Sequence, residues 1–298
     1  MLADSAELRS RIYQDVADMA DGGQSPLDRE WLLGYSIDGV PLPLIDAQGR
    51  GIRNPAAWSH SLSITTIEKG RYSDEQIAPG AWNYPLAVNK HGELDPSNGK
   101  YIKANSDAVP VIYFYKPVPH TYLLIGMVQV TAIDDAARVS TIELLEAGHT
   151  IGAVSTQLER AWVERLVKTR LHQPRFRAVV LEAYRSQCAI CGIPEPNLLD
   201  AAHIRGDKDP DGQPVVPNGL ALCSIHHRAY DRQLIGIDGD RKLHVRPDIV
   251  EIVDGPVLAS ALQSLPNTWL KYVPRGKNAP DPYRLEKTYK EYVDALPR

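Results

Sequence analysis

Four side chains in the middle of the chain have the spacing to grip one metal ion. Cys188-Ala-Ile-Cys191 and Cys223-Ser-Ile-His226 each set two soft ligands either side of two residues, so that one tight turn aims both at a common centre, as a tetrahedral structural zinc site requires. All three cysteines of the chain are accounted for in this way. His226 read instead as a catalytic histidine is the alternative, and the Cys-x2-His spacing favours zinc. A zinc clip has no need of Asp200, His203, Asn218, His227 or Asp231, which lie between and just after the knuckles.

The order of His203, Asn218 and His227, interleaved with the two knuckles, resembles the HNH nuclease family. That family has a ββα-metal fold, with a histidine, an asparagine and a second histidine around one divalent ion, and many members flank this core with zinc knuckles. His226 stands where a fourth cysteine often sits. The resemblance spans about 50 residues, from Gln187 to Asp238.

It implies hydrolysis of a phosphodiester, which needs an activated water, a Lewis acid and protonation of the leaving oxygen. His203 is the expected general base, because an imidazole titrates near neutrality. Asn218 is expected to hold the His203 ring or the loop that positions it. His227 is expected to bind the catalytic ion, Mg2+ or another divalent ion such as Mn2+. Asp231, four residues on along a helix, lies on the same face as His227 and is a candidate second ligand. Many family members have an acid or histidine directly before the base, whereas this chain has Ala202; Asp200, on the same side of a strand as Ala202, is the other candidate. Asp207-Lys-Asp-Pro-Asp-Gly212 matches the opening of a calcium loop, but its twelfth position is Asn218 rather than glutamate, which argues against calcium.

A second stretch, Tyr72-Ser-Asp74-Glu75-Gln-Ile-Ala-Pro-Gly80-Ala-Trp82-Asn-Tyr84, reads by composition as a loop with three aromatics and two adjacent acids. On that ground alone it is equally a loop covering the end of a barrel. With Lys69-Gly70 before it, the pattern resembles the SRA (SET- and RING-associated) domain, which binds modified cytosine flipped out of DNA. The resemblance implies that Tyr72 and Tyr84 stack the extruded base, with Trp82 in the same pocket, and that Asp74 or Glu75 reads its polar edge. An extruded base loses a few kcal/mol of stacking, which aromatic faces restore, and its amino group suits a carboxylate. The glycine-rich run usual after the second tyrosine is replaced by Pro85-Leu-Ala87, a departure that bears on pocket depth and on the preferred modification.

Composition is that of a globular protein, 43% hydrophobic and 23% charged over 298 residues, with no low-complexity tract and no apolar run long enough to span a bilayer. The absence of a secretory leader and of a disulfide framework points to a reducing cytoplasm, with no membrane partner. The formal net charge of −4 excludes a coat of positive potential, so a DNA partner must be held by local patches. The densest patch runs from Arg160 to Arg177 and includes Arg170, Arg175 and Arg177. Alone it is a solvated helix face; before a nuclease core it is a candidate phosphate grip. His60, His120, His244 and the other histidines outside the core have no partner spacing and read as surface or satisfied core residues.

The elements that must position these groups can be read from periodicity. Leu8, Ile12, Val16 and Met19 mark a helix over Ser5 to Met19; Phe176, Val179, Val180, Ala183 and Tyr184 mark another that delivers the chain into Cys188. Val109 to Tyr115 and Thr121 to Val130 predict strands, residues 234–238 and 243–245 a hairpin, and Pro256 to Leu265 and Tyr283 to Leu296 helices. Thr141 to Lys168 has helical texture. The expected class is α+β, with an SRA/PUA-like twisted β-barrel and flanking helices over residues 1–140, a helical linker over 141–170, and an HNH ββα-metal domain with structural zinc over 171–298. The function these readings imply is a modification-dependent restriction endonuclease, acting as a homodimer on double-stranded DNA that carries 5-methylcytosine or 5-hydroxymethylcytosine. Two alternatives stand beside it: an HNH endonuclease triggered by phosphorothioate, another modification or a sequence, and a zinc-stabilised DNA-binding protein without catalysis.

Overall fold

Ser5 opens the first helix, α1 (Ala6–Met19), by accepting a hydrogen bond from the Leu8 amide, and the apolar stripe predicted for it buries Leu8, Ile12 and Val16. The structure, a computed structural model, describes residues 2–68, 75–146, 149–150, 163, 165–206, 208–253 and 255–296. The chain divides into two units, Met1–Arg175 and Phe176–Arg298.

The first unit is built on a nine-stranded sheet. Its seven main strands are β1 (Ile52–Arg53), β2 (Ser63–Ile67), β3 (Glu75–Ala78), β4 (Ala81–Pro85), β5 (Val111–Val118), β6 (Thr121–Asp134) and β7 (Val139–Glu146), in the order β1-β2-β5-β6-β7-β4-β3. Among the described residues only β2 and β5 run parallel. β-Branched and aromatic residues fill the central strands, and four successive residues, Val111 to Phe114, are buried because both faces of β5 are covered. Gly126 has φ of +152°, and a Cβ there would lie 2.6 Å from Leu144, so a side chain would separate β6 from β7.

Two expectations are corrected here. The sheet does not close: among the described residues its path ends at β1 and β3, and β1 offers only two residues of edge, too few to complete the continuous ring of pairing that a barrel needs. The start of the expected helical linker, Thr141 to Glu146, is strand, pairing with β4 and β6 and burying Ile142 and Leu144 on one face. Alternation of period two, not three and four, governs that run. Further on, Val163, Val167 and Leu171 pack into the same core as Tyr101 of helix α2 (Gly99–Ser106), Tyr113 and Ile142.

The second unit takes up α3 (Gln173–Ala183) from Phe176 on; after it come a hairpin of β8 (Leu199–His203) and β9 (Gly219–Cys223) and, directly, α4 (Ser224–Asp231). A second hairpin, β9's successor β10 (Ile235–Ile237) with β11 (Leu243–Val245), forms where the sequence predicts it. The last helix, α5 (Pro282–Asp294), is capped by Asp281 and buries Leu285 and Tyr292; Gly236 lies so close that a Cβ would sit 2.4 Å from the Tyr292 ring. One apolar core joins α3, both hairpins, α4 and α5.

Candidate metal and nuclease centre

The tight turn after α3 sets the first pair of ligands. Gly192, at φ of +78°, lets the backbone fold back so that its amide bonds the Cys188 carbonyl at 2.9 Å and the Cys188 amide bonds the Ile193 carbonyl at 3.1 Å. Cys223 ends β9 and caps α4, and His226 lies in the first turn of that helix. One donor atom from each of Cys188, Cys191, Cys223 and His226 falls within 4.8 Å of all the others. His226 Nδ1 is 3.5 Å from Cys188 Sγ and 3.1 Å from Cys223 Sγ, and Cys191 and Cys223 sulfurs are 3.9 Å apart. Tetrahedral zinc with thiolate bonds requires ligand separations of about 3.7 Å, so the cluster fits that ion. His226 Nε2 is 2.9 Å from the Ala261 carbonyl, which fixes the tautomer and leaves Nδ1 for the metal. A hydrogen bond from Cys223, opposed by burial and aided by His226, lowers the Cys188 thiol, while the same contact and burial push Cys223 up.

The hairpin carries the second set. His203 pairs across it with Gly219. Asn218 is fully buried: its Oδ1 accepts from the Arg205 amide at 2.9 Å, and its Nδ2 donates to the Arg205 and Gln213 carbonyls, both at 3.0 Å. These bonds go to backbone, so the asparagine acts on the loop that leaves His203. Phe176 provides what sequence reasoning missed: its ring lies under the His203 imidazole, centroids 4.0 Å apart and planes at 18°. A Cβ at Gly219 would come 2.5 Å from Val180 and 3.0 Å from Phe176, and the Tyr184 hydroxyl donates to the Gly219 carbonyl at 2.9 Å. The available signal was Phe176 on the inward stripe of α3 together with Asn218-Gly219.

Three more predicted residues come together on α4 and β8. His227 Nδ1 is 3.6 Å from Asp200 Oδ2, and its Nε2 is 3.4 Å from Asp231 Oδ2. Both carboxylates are more than half exposed. Imidazole and carboxylate donors open to solvent suit Mg2+ or Mn2+. The rejected calcium loop is otherwise engaged: Asp209 pairs with Arg205 and Lys287, and Asp211 pairs with Lys287 at 2.9 Å, while Asp207 lies outside the described residues.

The arginines named as phosphate contacts are bound to their own chain. Arg175 pairs through two nitrogens with Glu68, Arg177 donates to the Pro196 and Leu199 carbonyls at 2.8 and 2.9 Å, and Arg170 donates to the Ile125 carbonyl at 3.4 Å. Tyr72 and Asp74 lie outside the described residues, as does the side chain of Glu75. From Glu75 on, the stretch expected to be a loop is a hairpin of β3 and β4. Trp82 and Tyr84 sit two apart on β4, so both point to one face, and that face is the core: they are 3% and 4% exposed. Trp82 meets the Tyr113 ring edge-on at 5.4 Å, and Tyr84 packs near Tyr101 and donates to the Gly51 carbonyl at 3.0 Å. As placed, neither ring offers a face to a base.

Residues 188–238 match the family described as HNH endonuclease. The C-terminal unit carries an HNH endonuclease domain. The protein is accordingly a metal-dependent DNA nuclease, with its hairpin and α4 inside the matched span. No curated protein matches the chain. Among solved structures, one titled "Modification dependent TagI restriction endonuclease" is similar with a TM-score of 0.34 and 16% identity, over 86% of this chain and 88% of that one. The "Type IV phosphorothioation-dependent restriction endonuclease ScoMcrA" is similar with a TM-score of 0.27 and 14% identity, over 84% of this chain and 56% of that one. No helix among the described residues is long and apolar enough to cross a membrane.

Proposed function

We propose that this HNH nuclease is a modification-dependent restriction endonuclease, in which the N-terminal unit reads modified DNA and the C-terminal unit cuts it. The observation that carries the cutting half is the hairpin and helix that set out His203, Asn218 and His227 within the matched domain. His203, steadied by Phe176, takes a proton from the attacking water. Asn218 keeps the loop after β8 in place, and His227 with carboxylate help holds the divalent ion. When bound, that ion supplies a Lewis acid for the charge that develops on the phosphate. The zinc clip holds the end of β9 and the start of α4 against the turn after α3.

The reading half is supported by the motif from Lys69 to Tyr84, and its first candidate target is 5-methylcytosine or 5-hydroxymethylcytosine in double-stranded DNA. Burial of Trp82 and Tyr84 favours a second version, in which the trigger is recognised without an aromatic sandwich of these two rings, as a phosphorothioate or another mark would be. One such site cuts one strand, so a double-strand break takes two chains. Plasmid carrying 5-methylcytosine, plasmid carrying phosphorothioate and unmodified plasmid are digested in parallel. Cutting confined to the methylated plasmid supports the first version, and cutting confined to the phosphorothioate plasmid supports the second. Equal cutting of all three removes the sensor, and no cutting by a protein that still binds DNA leaves only a zinc-stabilised binder.

A further inference from the structure

His227 has a carboxylate at each of its two ring nitrogens, Asp200 at Nδ1 and Asp231 at Nε2, 3.6 and 3.4 Å away. The two nitrogens of an imidazole point in different directions. An ion bonded to one of them is out of reach of the carboxylate that faces the other, so the two aspartates cannot share one task.

Their surroundings differ. Asp200 is held from behind: its Oδ1 accepts from the Ala201 amide at 2.8 Å and lies 3.6 Å from Arg177 Nε, leaving Oδ2 toward the ring. The same guanidinium grips the Pro196 and Leu199 carbonyls, so α3 fixes the start of β8 and the carboxylate together. Asp231 lies one helical turn after His227 and is exposed to the same degree as Asp200, but among the described residues its carboxylate makes no other ion pair or hydrogen bond. No second partner holds that carboxylate as Arg177 and the Ala201 amide hold Asp200.

We infer that Asp200 is a positioning residue that holds the His227 ring through Nδ1 and is itself held by Arg177, and that Asp231 is the carboxylate that shares the catalytic divalent ion with His227 Nε2. This assignment rests on the nuclease reading above and deepens it. A metal-binding histidine whose second nitrogen donates to a carboxylate keeps one tautomer and one ring orientation. Asp200 then needs only an acceptor oxygen, which an amide also has, whereas Asp231 needs an anionic one. Arg177, placed by sequence among phosphate contacts, acts instead through Asp200.

The test is Mn2+ binding to the full chain with its zinc clip loaded, read from the electron paramagnetic resonance of free Mn2+, with zinc content and circular dichroism confirming the fold of each variant. Asp231→Asn is expected to weaken Mn2+ by more than about 10-fold, Asp200→Ala by about 10-fold, and Asp200→Asn by less than about 3-fold. Arg177→Ala combined with Asp200→Ala is expected to cost little beyond Asp200→Ala alone, because the two act in series. Asp200→Asn losing Mn2+ as severely as Asp231→Asn overturns the division of roles and leaves the nuclease reading standing. A wild-type chain that binds no Mn2+ beyond the zinc clip overturns both.

Discussion

The imidazole of His203 lies nearly flat on the ring of Phe176, with centroids 4.0 Å apart. A general base must point one nitrogen at a water through each turnover, and a stacked aromatic removes the ring's freedom to tilt. Phe176→Leu keeps the site apolar but gives up the flat platform. It is expected to cost about 1 kcal/mol of stability and to slow cleavage by about 10-fold, whereas His203→Ala abolishes cleavage and leaves DNA affinity unchanged. Single-turnover cleavage together with a binding isotherm separates the two effects.

Gly219 faces His203 across the hairpin and leaves no room for a methyl group, since its Cβ would lie 2.5 Å from Val180 and 3.0 Å from Phe176. Gly219→Ala must push one of them away. Overpacking of this kind costs about 1 to 3 kcal/mol, and here the displaced group is the platform of the base. The variant is expected to melt earlier and to cut more slowly than Phe176→Leu does; normal activity in a protein with a lowered midpoint would show that the platform is dispensable.

Zinc and the catalytic ion are expected to be separable. Removing the weakly held ion with a mild chelator stops cleavage, and Mg2+ restores it. Stripping zinc, or Cys191→Ala, removes a binding free energy on the order of 10 kcal/mol that is also folding free energy. The C-terminal unit then loses its cooperative melt, and Mg2+ alone no longer restores cutting. Metal analysis at one zinc per chain, lost in Cys191→Ala, checks the assignment.

Within the first unit, Asp4 joins the start of α1 to the segments around His60 and Asp107: it bonds buried Arg9 at 2.7 Å and His60 at 3.0 Å, and His60 also meets Asp107 at 2.8 Å. Burial works to raise the Asp4 carboxyl, but the bonds from Arg9 and His60 outweigh it and hold the group below the usual value of 3.8. A depressed folded value means that the stability is present above that usual value and is lost as pH falls through the folded one. Asp4→Asn is therefore expected to destabilise the chain by about 3 kcal/mol near neutral pH, with the gap to wild type closing as pH drops below 3.8. Urea midpoints measured across that range test it; a gap that stays constant with pH would sink the idea.

The sequence by itself determined what depends on neighbours within a few residues. Two ligands spaced by two residues, as in Cys188-Ala-Ile-Cys191, can face one centre whatever the rest of the chain does, and the same holds for the apolar stripes of α1 and α3 and for the turn between β10 and β11. Tertiary structure decided the remainder, because contacts between distant residues hang on strand register and on which face of a strand meets the core. A register slip of one residue would turn Asp200 away from His227. Alternation placed Trp82 and Tyr84 inward although their composition read as a loop, and it made Thr141–Glu146 a strand although its leucines read as helix. Charge told least of all: Arg175 and Arg177 look like phosphate grips on a list of residues, and only the fold sets Glu68 beside the first and two carbonyls with Asp200 beside the second.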